Sequence, residues 1–205
     1  MESWSKVVLA GIVGVGLTAK LDPAQTASQH SSQLNESGQI VVAGQPTPYL
    51  IRHLPVSSFP DLPAEVQATL AERSCLIPQT YEAHRPENVV HARLERAGSL
   101  DWAVLCSVEG TVSLLVFFSS APAHPIVLAS ALETQRLQAH GSGNVLGFNW
   151  GIDPASPEQI HQAQTGLERR PAWVDHDAVA DSVVDHRTVY HFYVKNSWTL
   201  LEMPE

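Results

Sequence analysis

Most of the candidate chemistry lies near the C-terminus, in Asp175-His176-Asp177, Asp181, Asp185-His186 and His191. Imidazole nitrogens and carboxylate oxygens are the ligands that divalent metal ions take. His176, Asp185 and His191 are the candidate metal ligands of this set. Their spacing matches no H-E-x-x-H or related signature. On an extended strand His186 and His191 fall on opposite faces, because their separation is odd. The competing reading is an acidic loop, Asp175–Asp181, that caps a turn and stays in water.

Two cysteines, Cys75 and Cys106, are the second candidate pair. In an exported chain two cysteines most simply join as a disulfide. Cys106 sits inside the apolar run Trp102–Cys106, where a thiolate is disfavoured, so a catalytic cysteine is not expected. Ser142, in Gly141-Ser142-Gly143, has a serine between glycines but lacks the G-x-S-x-G frame, and it reads as a flexible turn. The aromatic candidates for a ligand groove are Trp150, Trp173 and Tyr193, with core or rim packing as the alternative.

Elements able to position these residues can be read from the apolar pattern. Trp102–Cys106 and Thr111–Phe118 are continuous apolar runs of strand length, and Glu109-Gly110 between them suits a tight hairpin. Both arms are too apolar for a sheet with one wet face, so both faces should be covered. Asn88–Glu95 alternates, which adds a third strand to an antiparallel meander over Val89–Phe118. Helices are expected over Ala64–Arg73, with Asp61 as cap and Leu62, Val66 and Leu70 as the apolar stripe, and from Ser156 to Arg169, with Ser156 as cap. Ile51–Val56 reads as an edge strand limited by Pro55. Ile126–Leu132 is ambiguous between strand and helix. Ser182–Val184, Thr188–Val194 and Trp198–Leu201 predict a second antiparallel meander.

Upstream, Met1–Ala19 reads as an export signal, with Lys6 ahead of a 13-residue apolar core. Lys20–Pro48 is polar and reads as a flexible linker, in which Ile40–Ala43 could add a short strand. The globular domain is expected over residues 49–205. No window reaches the roughly 18 apolar residues of a membrane span. The formal net charge is −9, with 12 basic against 21 acidic residues, which argues against nucleic-acid binding. Ten histidines make the surface charge sensitive to mild acid.

The export-like N-terminus, Cys75-Leu-Ile-Pro-Gln79 and Gly98-Ser-Leu-Asp-Trp-Ala-Val-Leu-Cys106 together resemble a set of uncharacterised secreted bacterial proteins. Gly98–Leu105 is also similar to the strand of FG-GAP/VCBS-type blades. Those blades place several Asp or Asn residues before that strand to hold calcium, whereas here Glu95–Leu100 precedes a single Asp101. Neither resemblance implies a known activity.

The sequence thus predicts one α+β domain of antiparallel meanders and two helices, fastened by Cys75–Cys106. The expected function is a periplasmic or secreted, non-catalytic binding or accessory protein that needs no cofactor. Its partner is a protein or a small molecule. The rival expectation is a periplasmic hydrolase or metal-dependent enzyme using the Asp175–His191 region.

Overall fold

A computed structural model describes residues 34–141, 144–165, 167 and 173–202. The expected export segment Met1–Ala19 lies outside the described residues, as does Ser142.

The central hairpin forms as its sequence predicts. Strands β5 (Asp101–Val108) and β6 (Thr111–Phe117) pair antiparallel around Glu109-Gly110, both of which have positive φ. Strand β4 (Val89–Ala92) pairs antiparallel with β5, completing the predicted meander. Alternate residues of β5 enter two different cores. Ala103 and Leu105 join Val112, Leu114 and Val116 on one face, while Val104 and Cys106 join Leu115 and Phe117 on the other. The second face is covered by helix α1 (Ala64–Glu72) through Val66 and Leu70, with Leu62 beside them. Asp61 does not cap this helix: Pro63 holds the cap position and no side chain bonds there. The Cys75–Cys106 disulfide, with Cα atoms 5.4 Å apart, ties the segment after α1 to β5.

The remaining strands overturn the α+β expectation. The described residues hold thirteen strands against two helices, in a β-rich, sandwich-like arrangement of two sheets. The larger sheet runs β7 (Ile126–Leu132), β6, β5, β3 (Leu76–Gln79), β2 (Gln45–Pro55), β9 (Leu146–Phe148) and β8 (Leu137–Ala139), with β1 (Asn35–Val42) added to β2 and β4 to β5. Its strands β3, β8 and β9 have only three or four residues, too few to show a period, and β7, an apolar run that fits either strand or helix, is only half-buried. Strand β1 (Asn35–Val42) lies in the segment expected as linker and pairs along its length with β2 (Gln45–Pro55). Strand β2 is no edge strand, since β1 lies on one side and β3 and β9 on the other.

The smaller sheet is β10 (Trp150–Ala155), β11 (Ala178–Val183), β12 (Arg187–Val194) and β13 (Ser197–Glu202), all antiparallel. Its inner face shares the first core, through Trp150, Ile152 and Val179 packed with Ile51 and Leu105. Its outer face is covered by helix α2 (Pro157–Ala163), whose Ile160 and Ala163 meet Phe192 and Leu201. Ser156 caps α2 in a reciprocal box with Gln159, and the helix ends well before the expected Arg169. The order of layers is therefore helix, sheet, sheet, helix.

Candidate functional site

Two side chains clamp the sheets together, and one of them, Asn88, also stands in the wall of a cleft. Asn88, at φ 69°, donates from its amide nitrogen to the Pro78 and Trp150 carbonyls and accepts from the Ile152 N–H. Asp177 accepts from the Arg93 backbone N–H and takes a two-pronged pair from the Arg93 guanidinium. The guanidinium and its hydrogen bonds hold the Asp177 carboxyl below the usual carboxylate range, against the upward push of burial.

The polar cleft opens beside Asn88 and has a volume of about 580 Å³. The loop after β3 supplies Thr80, Glu82 and Glu87, strand β10 supplies Asp153, and the β11–β12 turn supplies Asp185, His186 and Arg187. The loop is closed at its neck. Glu87 accepts from both the N–H and the hydroxyl of Thr80, while the Gln79 side chain bonds the Glu87 backbone in both directions. Tyr81 crosses from this loop to donate its hydroxyl to Asp185 at 3.2 Å. Burial, then the hydrogen bond to Asp185 and the charges of Asp185 and Glu82, pushes the Tyr81 phenol up to about 12, so it stays a donor.

Tyr81 also lines a second, more apolar cleft of about 390 Å³, together with Leu50, Val145 and Phe148, and Thr80 borders both clefts. The Tyr81 ring stacks on His140, with centroids 4.5 Å apart. Gly147 makes that stack possible. A Cβ there would collide with the Tyr81 Cβ and crowd the His140 ring.

The cleft walls thus carry four carboxylates, Glu82, Glu87, Asp153 and Asp185, against one guanidinium. Its hydroxyls are already engaged: Thr80 with Glu87, and Ser182 with Thr188 at 2.9 Å. Chemically this is a surface of hydrogen-bond acceptors. It is suited to a ligand rich in N–H or O–H donors and carrying positive charge.

The candidate metal ligands are dispersed. Asp185 lies in the cleft. The Nε2 of buried His176 donates to the Tyr193 carbonyl at 2.7 Å, so that nitrogen has no lone pair for a metal. His191 is buried and reaches Asp181 at 3.1 Å, and Asp181 also accepts the Trp150 indole N–H at 2.7 Å. Among the described residues no three His, Cys, Asp or Glu side chains converge in a metal-holding arrangement.

The candidate aromatics do not line a common groove either. Trp150 is fully buried under the Arg136 guanidinium, which lies 4.2 Å from its ring centroid. Tyr193 packs with Phe118 and Trp198, and Trp173 is exposed beside His161. Thr80, Glu82, Glu87, Asn88 and Asp153 were missed because they lie in a loop and on a strand with no motif spacing. The one local signal was Asn88 itself, a residue type that tolerates positive φ. No protein-family model, curated protein or solved structure matches the chain.

Proposed function

We propose that this chain is an extracytoplasmic binding or accessory protein whose polar cleft holds a small, cationic, donor-rich ligand such as a polyamine or a guanidino compound. The observation that carries the reading is the cleft wall, with Glu82, Glu87, Asp153 and Asp185 set against Arg187 alone. A cation entering it exchanges water for acceptors held in place by the Thr80–Glu87 neck and the Tyr81–Asp185 bond. The disulfide supports an oxidising compartment.

Isothermal titration calorimetry with spermidine and arginine, against glucose and citrate as neutral and anionic controls, tests this. Saturable binding of a cation that weakens with salt and is lost in the Glu82→Gln/Asp153→Asn double variant is the expected result. Binding of citrate or glucose in preference, or cation binding unchanged in the double variant, would overturn it.

A further inference from the structure

We propose that the edge of β1 that no described strand pairs joins two copies of this chain by antiparallel β1–β1 pairing into one continuous sheet. The direction of the β1 hydrogen bonds follows from the ladder with β2. The His53 N–H donates to the Leu34 carbonyl, so His53 lies in a position whose backbone groups face β1. Alternation along antiparallel strands then gives the same direction to Ile51, Tyr49, Thr47 and Gln45. Their neighbours Arg52, Leu50, Pro48 and Pro46 turn their backbone groups away from β1. Opposite these stand Asn35, Ser37, Gln39 and Val41, whose N–H and C=O groups therefore point out of that edge.

The two outer edges of this hairpin are treated differently. On the β2 side the outward positions 46 and 48 are prolines, which have no N–H to offer another strand. On the β1 side no strand pairs among the described residues, and positions 35, 37, 39 and 41 are not proline. Edges of natural sheets are ordinarily guarded by charge, proline or a bulge. Here no charged residue occurs from Ser37 to Ile51, in a chain of net charge −9. Val41 is 73% exposed and Val42 44% exposed, side chains that favour strand pairing.

A second copy fits this edge because the edge is complementary to itself. A two-fold axis through Gln39 pairs Gln39 with its own copy and Ser37 with Val41. All of these are outward positions, and each pair exchanges two backbone hydrogen bonds. Glu36 then faces Val42 of the other copy, so no like charges meet. Elsewhere the net negative charge makes two copies repel, and the uncharged stretch Ser37–Ile51 is where they can approach.

Sedimentation equilibrium of the full chain tests the proposal, with Gln39→Pro and Val41→Lys as variants. Proline at position 39 removes an outward N–H, which the β1–β2 ladder does not use, and two-fold symmetry removes it twice. The wild type should show a concentration-dependent mass of twice the chain, and each variant should dimerise at least about tenfold more weakly. Unchanged thermal melts of the variants would show that the fold is intact. Amide exchange in the dimer should protect Ser37, Gln39 and Val41, and both variants should lose that protection. A wild type that stays monomeric, or a dimer that both variants leave unaltered, would overturn the proposal.

Discussion

The imidazole of His53 lies 2.7 Å from the carboxylate of Glu133, eighty residues later, and both side chains are buried. The other ring nitrogen of His53 lies 3.0 Å from the Leu34 carbonyl, which can only accept, so Nδ1 carries a hydrogen. The Nε2···Oε1 contact then needs a proton of its own, on one atom or the other. Through its two ring nitrogens, His53 fastens the residue before β1 and the turn after β7 to β2. Truncating His53→Ala leaves a buried carboxylate without its partner and should cost about 3–5 kcal/mol. Urea denaturation measures it. A loss below about 1 kcal/mol would show that water reaches Glu133.

Glu36 belongs to the same cluster and sets a pH dependence. Burial, followed by the charge of Glu133, pushes the Glu36 carboxyl above its ordinary value, while Tyr49 donates to it at 3.2 Å. A group whose folded value is raised contributes stability that is present below its unfolded value and lost as pH rises through the folded one. The Glu133 carboxyl moves the other way. Burial pushes it up, but the hydrogen bonds from His53 and Ser107, the charge of His53 and the contact with Glu36 together outweigh burial and hold it below the usual range. Its contribution is present above the unfolded value and lost as pH falls through the folded one. Glu36→Gln, which mimics the protonated carboxyl, should therefore raise the melting temperature at neutral pH. The gain should vanish once the medium is acidic enough to protonate Glu36 in both states. Melts across the acidic range check this, and a gain independent of pH would contradict it.

The apolar pattern made the centre of this fold legible and left its margins obscure. Strands β5 and β6 were readable because Trp102–Cys106 and Val112–Phe118 are largely buried on both faces and so mostly apolar, and β4 because its buried and exposed positions alternate. Strand β1 was not, because Asn35, Ser37 and Gln39 make most of it polar, even its valines Val41 and Val42 are exposed, and its ladder to β2 rather than side-chain burial makes it a strand. Cys75 and Cys106 were legible as a pair by number and context. The cleft was not, because it joins Tyr81 to Asp185 across more than a hundred residues and its carboxylates come from three separate elements. Asp185 is legible as an acid, but nothing in its local sequence points to Tyr81.

The same distinction explains Asp101, which is fully buried and accepts from the backbone N–H groups of Leu94, Glu95 and Ser119 and from the Ser99 hydroxyl. Both carboxylate oxygens are thus occupied by donors of the chain. Asp101→Ala strands three backbone N–H groups and should cost about 3 kcal/mol or more, measured by urea unfolding. Calcium should leave the melting temperature of the wild type unmoved, since the carboxylate already has its partners. A calcium-dependent rise lost in Asp101→Ala would show that the ion competes for it.

The disulfide closes a loop with a sequence separation of 31 beneath α1. In the chain-entropy account this constraint is worth about 3.7 kcal/mol. The double variant Cys75→Ala/Cys106→Ala should lose roughly that much, measured in urea. The loosening should begin at α1, where Val66 and Leu70 pack against both cysteines' neighbours. Amide exchange that accelerates in Ala64–Glu72 before β5 would show this order, and uniform acceleration would refute it.

Asn88 combines two demands that separate variants can divide. Its backbone is left-handed, at φ 69°, and its amide joins Pro78, Trp150 and Ile152 across the two sheets. Asn88→Gly removes the amide but tolerates the backbone, so its cost reports the three buried hydrogen bonds, about 3 kcal/mol. Asn88→Ala removes the amide and adds the left-handed penalty, about 1 kcal/mol more. If the clamp holds the cleft open in its binding shape, both variants should weaken ligand capture alike, because both free the wall at Gly151 and Ile152. An alanine variant no less stable than the glycine one would show that the backbone relaxes once the amide is gone. The left-handed turn would then be a consequence of the clamp and not a constraint that the loop imposes on it.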